Sequence, residues 1–507
     1  MLLHKLKSIT FWGSLIIAGI LLTGAFAPFY GWPLAILTLA YLFFTWQKKA
    51  INPKQAACYG WLFGLGFFTS AVSWIYISLY TFGGLPLWLA IFISALLISS
   101  LALFPAITGY LLNRIFTPNH KLIYLIAFSC LWVLTEWLRS TLLSGFPWAL
   151  IAYSQTNSPL AGFIPIFGQF GVSWLVCCAA ALLCYLLDFK RTQRIIVFCA
   201  FLLLFILGLA LQQINWTQPS GKAIKISAIQ AFVPQQLKWE AAQFKTNLQT
   251  YTQMTEQALA LNSDLIIWPE SAITLPIQYV DDYLSVWNTR LNKTKKTLLL
   301  GLPIQTNTET YYNGLISIGV NHGEYKKRHL VPFGEYPFLY PISKYIIQYF
   351  HIPMSNFTPG KSQQVLMQFN QTKLANYICY EIAFEKLVLS DFPQANLIIN
   401  ISDDSWFGHS LAAWQQVQIG QFRAIETGRY AIFATNDGIT AMSNPKGDFV
   451  KTLPRYQKAI LTTKAIPMTG KTPIMIMNSR TVLLGIILLL LLGYYWISIK
   501  KFFKMLC

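Results

Sequence analysis

Long apolar runs separated by short charged loops constrain this chain more than any other feature of its sequence. Seven runs precede residue 213, and an eighth, rich in Leu and Ile, lies near the C-terminus. A helix needs about 20 residues to cross a bilayer, and most of the runs are long enough, although the second is short. The sequence therefore predicts about eight transmembrane helices, in the runs 9–27, 32–46, 56–79, 86–112, 121–138, 163–187, 195–212 and 481–498.

The density of charged residues divides the chain into parts. Residues 213–480 hold 24 Lys and Arg and 17 Asp and Glu, as in an ordinary globular protein, whereas the rest of the chain holds only two acidic residues. Only 11% of the whole chain is charged, against roughly a quarter in a typical soluble domain. We therefore predict a membrane domain at 1–212, a soluble domain at 213–480, and a C-terminal transmembrane helix with its tail at 481–507.

The basic residues outside residues 213–480 lie in alternate loops. The loops between them have almost none, apart from Arg139, and this alternation is the positive-inside pattern. It predicts cytoplasmic termini, an exported soluble domain and no nucleic-acid partner for the net charge of +19. The basic residues are Lys5, Lys7, Lys48, Lys49, Lys54, Arg114, Lys121, Lys190, Arg191, Arg194, Lys500, Lys501 and Lys504.

The start of the chain invites a second interpretation, as a cleaved signal peptide. Ala25, Phe26 and Ala27 resemble a small-residue cleavage site. Pro28 follows at once, however, and further apolar runs come after it. We therefore expect the first run to be retained.

One cysteine is singled out by its position. Of the eight cysteines, only Cys379 lies in residues 213–480. Exported domains usually pair their cysteines, so an unpaired one is a candidate reactive thiol. The alternative is a small buried hydrophobic residue, which is what most free cysteines are.

Residues 213–480 alternate between runs typical of strands and of helices. A helix-like stretch, Gln235–Leu261, joins the first two strand-like runs, and such alternation predicts an α/β domain. The strand-like runs are Ala223–Val233, Asp264–Trp268, Thr297–Gln305, Gly314–Val320, Lys373–Tyr380, Ala395–Ile401 and Tyr430–Asn436.

Residues able to act as acid, base or nucleophile recur where these strands end. They are Glu270, Lys327, Cys379 and Glu381. Strand ends are where α/β folds place their sites. A cysteine nucleophile needs a base, and the oxyanion that it creates needs a cation or hydrogen-bond donor. The two glutamates and the lysine supply these groups.

The motifs around these residues resemble those of the nitrilase, or carbon–nitrogen hydrolase, superfamily. With the membrane helices, the ordered set resembles the bacterial apolipoprotein N-acyltransferase family over nearly the whole chain. The motifs are Trp268-Pro269-Glu270-Ser271, Lys327 to Glu335, Ile378-Cys379-Tyr380-Glu381, Glu136 to Arg139, Gly145 to Trp148, Tyr153 to Gln155, Asp404 to Gly408 and Arg423 to Tyr430. The departure is His409, which stands where an acidic residue is common.

The resemblance implies an αββα sandwich and a role for each catalytic residue. Glu270 is implied as general base, Cys379 as nucleophile and Lys327 as the group that stabilises the oxyanion. The family's spacing of eight residues before Glu335 favours Lys327 over Lys326. The resemblance further implies that Glu335, Tyr380 and Glu381 support these three and that Trp239, Trp148, Arg139 and Trp406 bind substrate.

Simpler interpretations remain open for several of these residues. Glu136 and Arg139 are also explained by an interfacial ion pair, and Trp148 by a membrane-interface anchor. Glu426 and Arg429 are spaced as a structural ion pair on a helix. The six histidines show no metal-binding spacing, so we expect neither a metal nor a cofactor.

The implied reaction has two steps and two lipid substrates. Cys379 takes an acyl chain from a phospholipid, typically phosphatidylethanolamine, as a thioester. The α-amine of a lipoprotein's N-terminal diacylglyceryl-cysteine then receives it. The implied location is the inner membrane with the soluble domain in the periplasm, and we expect a monomer. The stretch Tyr336–Phe357, rich in aromatic residues, is interpreted either as a mobile arm in the headgroup layer or as a packed insertion.

Two other functions compete with this interpretation. A membrane-tethered amidase or nitrilase would use the same residues with water, but seven helices are excessive for a tether. A transporter or receptor would bind ligand without catalysis. Transporters usually carry intramembrane charges or inverted repeats, whereas the charges here lie at the helix ends and no repeat is seen.

Overall fold

The computed structural model describes residues 2–188, 190–307, 310–337 and 356–506 of the 507-residue chain. The side chains of residues 2–8 and 501–506 are outside this description. The chain forms two compact units. Unit 1 comprises Met1–Tyr76, Trp88–Ile214 and Ile476–Cys507, and unit 2 comprises Ile77–Leu87 and Asn215–Met475.

Unit 1 is built of helices, and each predicted apolar run overlaps one of them. Within the described residues, five helices are long and apolar enough to cross a membrane, or six if a pair bent by 54° counts as one span. This supports a membrane protein, while the number eight stays a prediction. The helices are Leu2–Thr23, Pro33–Lys48, Pro53–Val72, Leu87–Ile115, Lys121–Thr141, Ile164–Asp188, Arg191–Gln212 and Pro473–Leu506.

The bent pair joins the two units in sequence. Pro53–Val72 begins at a capped turn, where the side chain of Asn52 accepts a hydrogen bond from Gln55 N and Pro53 occupies the first turn. The helix ends at Val72, and a second segment, Ile75–Phe82, continues at 54° to it. Its last turn, Ser78–Phe82, is a π-helix and belongs to unit 2, to which the sequence had not assigned it.

Unit 2 contains two six-stranded sheets with the same plan, in which three parallel strands form the centre and antiparallel strands flank them. The first sheet has the order β13-β2-β3-β4-β5-β6, the second β12-β11-β10-β9-β8-β7, and β1 pairs with β14 apart from both. The strands are β1 Thr217–Pro219, β2 Ile224–Gln230, β3 Leu265–Ile267, β4 Thr297–Gln305, β5 Tyr311–Gly319, β6 Gly323–Lys326, β7 Met367–Phe369, β8 Thr372–Ile378, β9 Leu397–Ser402, β10 Ala431–Thr435, β11 Ala441–Ser443, β12 Phe449–Thr452, β13 Ala459–Ala465 and β14 Met468–Gly470.

The two sheets pack face to face around one apolar core. Ile226 and Leu299 of the first sheet lie in the same buried cluster as Ile399 and Ile401 of the second. The outer face of the first sheet is covered by the helices Phe244–Ala260 and Asp281–Thr294, and Ala412–Thr427 packs on β10 of the second. The arrangement is the predicted αββα sandwich. Strands buried on both faces read as nearly continuous apolar runs, which is why β4 and β9 stand out in the sequence.

Two local predictions are wrong. Gln235–Leu261 is not one helix: it breaks into Gln235–Lys238, a 3-10 turn at Ala241–Gln243 and Phe244–Ala260. The break comes where the ammonium of Lys238 is drawn into the interior, and Glu240 is extended.

Glu426 and Arg429 do not form an ion pair. Glu426 pairs with Arg423 instead, at 2.7 Å. Beyond the end of the helix, the Arg429 guanidinium donates to the carbonyl oxygens of Ala395 and Gly470. The helix ends at Thr427, and the left-handed backbone of Gly428, which caps it, turns Arg429 away from the helical face on which the spacing had placed it.

Candidate active site

The candidate active site lies at the carboxyl ends of strands from both sheets. Glu270 follows β3, Lys327 follows β6 directly and Cys379 follows β8 directly. Because β3 and β8 belong to the parallel centres of facing sheets, their ends bring residues distant in sequence to one edge of the sandwich. The site is therefore a product of the pairing of the two sheets.

Lys327 is bound between two carboxylates. Its Nζ lies 2.9 Å from Glu335 Oε1 and 3.4 Å from Glu270 Oε1, and its side chain is 1% exposed. Asn313 of β5 bridges the same two oxygens, since its Nδ2 donates to Glu270 Oε1 at 2.7 Å and to Glu335 Oε1 at 2.8 Å. The lysine is thus held in one position by three neighbours. Lys326, by contrast, pairs with the exposed Glu324 and lies over the ring of Tyr312.

The charge of Lys327 is secured by these carboxylates. Burial lowers the pKa of Lys327, but the nearby charges of Glu335 and Glu270 more than offset this, so that the pKa is well above its ordinary value. The side chain is an ammonium at neutral pH. A fixed cation in a buried site stabilises negative charge that develops next to it far better than a solvated one does.

Glu270 is positioned by hydrogen bonds to both carboxylate oxygens. Oε1 accepts from Asn313 and faces Lys327, while Oε2 accepts from the backbone N–H of Asp403 at 3.0 Å. Burial raises the pKa of Glu270, an effect that the Lys327 charge opposes. A carboxylate with a raised pKa is a stronger base than an exposed one, which suits a group that must accept a proton from a thiol.

Cys379 stands at a strained turn between a strand and a helix. It begins the 3-10 helix Cys379–Ala383 with a φ of 58°, in the left-handed region that residues other than glycine rarely occupy. The strain is maintained by its surroundings: the carbonyl of Cys379 accepts from Asn400 Nδ2 at 2.9 Å. Such strain concentrates at functional sites, because the surrounding structure must be arranged to hold it.

The thiol is protonated at rest. Burial raises the pKa of Cys379, and so does the charge of Glu270, while Lys327 lowers it. With 8% of the residue exposed, the thiolate has little water to solvate it. Nucleophilic attack by this sulfur therefore requires that a nearby base receive its proton during the reaction.

Glu381 and Tyr380 support the site by holding backbone. The carboxylate of Glu381 is fully buried and accepts from the backbone N–H groups of Ile378, Arg328 and His329 at 2.6–2.9 Å. It thereby ties the turn at Cys379 to the segment after Lys327. Tyr380 donates its hydroxyl to the carbonyl of Leu330 at 2.8 Å, and its ring lies 5.9 Å from Lys327 Nζ.

The structure also brings in a buried ion pair that the sequence analysis missed. Lys238 Nζ donates to the carbonyl of Glu270 at 3.0 Å and pairs with Asp403 Oδ2, and both side chains are at most 4% exposed. Since Asp403 also donates its N–H to Glu270, this pair fixes the general base from both its backbone and its carboxylate. The only sequence signal was Lys238 beside Trp239, together with two aspartates directly after β9.

The predicted substrate-binding residues fall into two groups. In unit 2, Trp239 is 49% exposed and Trp406 is 41% exposed; Trp406 contacts the ring of Phe82 at 5.5 Å, and its carbonyl accepts from Ser78 Oγ. In unit 1, Arg139 and Trp148 are buried. Of the predicted arm Tyr336–Phe357, residues 338–355 lie outside the described residues.

Arg139 and Glu136 bind backbone groups of unit 1. The guanidinium of Arg139 donates to the carbonyls of Phe146 and Trp148 at 2.9 and 2.6 Å, and Glu136 accepts from the N–H of Ile151. Both side chains thus hold the loop after their helix. Trp148 packs on Trp74, with ring centroids 5.5 Å apart.

No set of three or more His, Cys, Asp or Glu side chains in the described part of the chain is arranged to hold a metal ion. The groups gathered at the site are two carboxylates, an ammonium and a thiol. A thiol beside a base and a cation is able to accept an acyl group as a covalent intermediate.

Comparison with known proteins agrees with this class of site. Residues 226–469 match the family model described as carbon-nitrogen hydrolase, and residues 18–182 match that of the apolipoprotein N-acyltransferase N-terminal domain. The fold and the matched region make unit 2 a nitrilase-like, carbon–nitrogen hydrolase domain. The structure of an amidase from Nesterenkonia sp. AN1 is similar over 49% of this chain and 94% of that chain, at 16% identity and with a TM-score of 0.36.

Relatives over nearly the full length fix the family. An apolipoprotein N-acyltransferase from Coxiella burnetii is 39% identical over 482 residues, covering 94% of this chain and 99% of that protein. One from Methylococcus capsulatus is 39% identical, covering 90% of each chain, and one from Nitrosomonas europaea is 38% identical, covering 94% and 95%. The chain belongs to the apolipoprotein N-acyltransferase family, and it is an N-acyltransferase of lipoprotein maturation.

Proposed function

We propose that this protein transfers an acyl chain from a membrane phospholipid to the α-amine of the N-terminal diacylglyceryl-cysteine of apolipoproteins, by a ping-pong mechanism through a thioester on Cys379. One observation carries the proposal: a buried cysteine at a strained turn stands beside the cluster of Glu270, Lys327 and Glu335 in a member of this family. A covalent intermediate divides a transfer between two lipids into two simpler steps.

In the first step, Cys379 attacks the ester carbonyl of the phospholipid while Glu270 takes the thiol proton. The carbonyl oxygen becomes an oxyanion, and Lys327 is the cation that stabilises it. When the tetrahedral intermediate collapses, the proton on Glu270 passes to the departing alkoxide. A lysophospholipid leaves, and the acyl chain remains on the sulfur as a thioester.

In the second step, the α-amine of the acceptor attacks the thioester carbonyl. Glu270 takes a proton from the attacking nitrogen, and Lys327 again faces the oxyanion. Collapse breaks the carbon–sulfur bond, forms the amide and returns the proton to the sulfur. One base and one cation therefore serve both half-reactions, which matches the single cluster around Lys327.

Supporting roles follow from the contacts. Glu335 holds the Lys327 ammonium, and Glu381 and Tyr380 hold the turn and the loop around it. We assign substrate contact to Trp239 and Trp406, because both large rings are about half exposed in unit 2. The assignment of Arg139 and Trp148 to substrate binding stays a prediction, since both are buried in unit 1.

The remaining proposals concern the surroundings of the enzyme. The donor is phosphatidylethanolamine, and the protein acts as a monomer in the bacterial inner membrane. We propose eight membrane helices, with both termini in the cytoplasm and residues 213–480 in the periplasm, between a membrane domain at 1–212 and a last helix at 481–507. The alternation of basic loops supports this orientation.

A two-substrate assay tests the function. The purified protein is mixed in detergent micelles with phosphatidylethanolamine and a diacylated lipopeptide that has a free N-terminal amine, and the lipopeptide is followed by mass spectrometry. We expect a gain of one acyl chain, and none when the lipopeptide amine is acetylated. Release of ammonia from small amides without any gain in lipopeptide mass would indicate an amidase and contradict the proposal.

A further inference from the structure

A buried guanidinium joins the two sheets next to the proposed catalytic lysine. Arg328 directly follows Lys327, and its Nη1 and Nη2 donate to the two carboxylate oxygens of Asp391 at 3.1 and 2.6 Å. The side chains of this ion pair are only 4% and 8% exposed. Asp391 also accepts from the hydroxyl of Tyr377 at 2.9 Å, and Tyr377 lies near the end of β8, shortly before Cys379. Arg328 therefore links the end of β6 in the first sheet to β8 in the second.

The same guanidinium reaches the turn of the nucleophile by a second route, through a tyrosine hydroxyl. Arg328 Nε donates to the hydroxyl of Tyr325 at 3.0 Å, and that hydroxyl donates to Glu381 Oε2 at 2.9 Å. Tyr325 is 4% exposed, and Glu381 is fully buried. Glu381 Oε2 also accepts from the N–H of Ile378 at 2.8 Å. A continuous chain of hydrogen bonds thus runs from Arg328 to the strand residue that precedes Cys379.

The position of Lys327 relative to the catalytic sulfur depends on such links between the sheets. The two carboxylates that bind the Lys327 ammonium follow β3 and β6 of the first sheet, whereas Cys379 follows β8 of the second. Those carboxylates therefore leave the distance from the ammonium to the sulfur to be set by contacts that cross the sandwich. On the side of Glu270, the N–H of Asp403 supplies such a contact. On the side of Lys327, the bonds of Arg328 supply them.

We propose that Arg328 is a positioning residue that holds the Lys327 ammonium at a fixed distance from the sulfur of Cys379. It acts through its bonds to Asp391 and Tyr325, and not on the reacting atoms. The inference deepens the proposed function, on which it rests for the roles of Lys327 and Cys379.

The geometry of this link suits arginine and not lysine. The planar guanidinium of Arg328 bonds both oxygens of Asp391 while its Nε donates to Tyr325. Its Cζ lies 5.3 and 5.8 Å from the ring centroids of Tyr325 and Tyr377, which come from the two sheets. A lysine keeps the charge, but its one nitrogen on a flexible stem cannot bridge these partners at fixed angles. Arg328→Lys therefore removes the rigidity of the link and retains its charge.

A displaced ammonium should slow the chemistry without weakening the binding of substrate. Stabilisation of an oxyanion depends on where the cation lies, and a misplacement of about 1 Å can cost about 10²-fold in rate. In Arg328→Lys, the Lys327 ammonium keeps its two carboxylate partners, so we expect a smaller loss. The expected result is a fall of about tenfold in kcat, with KM within about twofold of wild type.

The test measures kcat and KM for acylation of the diacylated lipopeptide by the purified full-length protein, per molecule that remains folded. Arg328→Lys is measured alone and together with Lys327→Met. If Arg328 acts through Lys327, its loss matters only while the ammonium is present. The tenfold effect should therefore shrink to within about twofold in the Lys327→Met background. A purely structural role would give the same loss in both backgrounds.

Arg290→Lys is the matched control. Arg290 also donates from both Nη atoms to the two oxygens of one carboxylate, that of Glu256. This pair is exposed, however, with 49% and 39% of the two side chains accessible, and it lies on the helices that cover the first sheet. The same change of arginine to lysine should leave kcat and KM as in wild type, because exposed ion pairs contribute little.

Tyr325→Phe is a second and milder variant, because it removes only the hydroxyl through which Arg328 reaches Glu381. It should lower kcat by about threefold to fivefold in the wild-type background, as for the loss of one hydrogen bond, and change little in Lys327→Met. If Arg328→Lys does not fold, Tyr325→Phe carries the same comparison. A wild-type kcat in the folded variants, or equal losses in both backgrounds, overturns the proposal. Absence of acyl transfer by the wild-type protein would instead refute the proposed function, and with it the inference that rests on it.

Discussion

The two units bury charged side chains in different ways. In unit 1, Arg139 is buried, and its guanidinium donates hydrogen bonds to backbone carbonyls of the following loop. Glu136 accepts a hydrogen bond from a backbone N–H of the same loop. In unit 2, Lys327 is buried at least as deeply but bonds to the side chains of Glu335 and Glu270. The first arrangement fixes a loop, and the second fixes charges relative to one another.

The difference indicates that a buried charge can take part in catalysis when its partners are titratable side chains. The Arg139 guanidinium, whose hydrogen bonds end on backbone carbonyls, contributes to the structure of the loop. The carboxylates around Lys327 share donors with each other and lie near a thiol, so a proton or a negative charge that appears there meets groups already in place. The four predictions that follow test this contrast, from the largest expected effect to the smallest.

Replacing the proposed base should have the largest effect. Glu270→Gln keeps the shape of the side chain but cannot accept a proton, and it presents an amide where Asn313, Lys327 and Asp403 all donate. We expect acyl transfer to fall by about 10³-fold or more. The rate of lipopeptide conversion measures this, with the exposed Glu256→Gln as the control that retains activity. Near-normal activity in Glu270→Gln would remove Glu270 from the mechanism.

Lys327→Met tests the proposed oxyanion partner. Loss of the ammonium removes the cation that faces the developing charge and leaves Glu270 and Glu335 without a counter-ion. We expect a loss of about 10²- to 10³-fold in kcat. Lys326→Met is a matched control one residue away, since Lys326 pairs only with the exposed Glu324, and it should act as wild type. Equal losses in both variants would contradict the assignment of Lys327.

Lys238→Met tests the ion pair behind Glu270. It leaves Asp403 buried without its partner, so we expect a clear fall in melting temperature, in line with a cost of about 3–5 kcal/mol for breaking a buried pair. In the protein that remains folded, a displaced Glu270 should lower kcat by about tenfold with little change in KM. An unchanged kcat would limit Lys238 to a structural role.

Arg139→Met should have the smallest effect on the chemistry. The loop after its helix loses two hydrogen bonds from a charged donor, so the melting temperature should fall, since each such bond contributes about 1.5–3 kcal/mol. The rate of Cys379 alkylation in the folded protein should stay within about twofold of wild type, because no proton partner in unit 2 is changed. A large change in the alkylation rate of Cys379 would contradict the claim that Arg139 serves only the structure of unit 1.

The sequence was sufficient for features that repeat locally. Apolar runs predicted the helices of unit 1, and buried strands such as β4 and β9 were placed to within a few residues. Glu270 and Cys379 were found because the strands that precede them were predicted from apolar runs, whereas β6, the strand before Lys327, was not predicted, and Lys327 was found from its spacing to Glu335. The prediction failed where a distant partner decides the local structure.

Lys238 and Asp403 show why some features of the site could not be predicted from the sequence. They lie 165 positions apart, and only the packing of the two sheets brings them together. The same inward bond broke the helix predicted through Gln235–Leu261. The positive φ of Cys379 likewise depends on a neighbour from another strand, Asn400, which no local pattern in the sequence encodes.

The central claim is that Cys379 carries the acyl chain, and intact mass spectrometry tests it most directly. The purified protein is incubated with phosphatidylethanolamine alone, beside Cys379→Ser and the exposed-cysteine control Cys58→Ser. We predict a mass gain of one acyl chain that hydroxylamine removes and a diacylated lipopeptide discharges, present in wild type and Cys58→Ser and absent in Cys379→Ser. A folded wild-type protein that gains no acyl mass, or a thioester that persists in Cys379→Ser, would contradict the account.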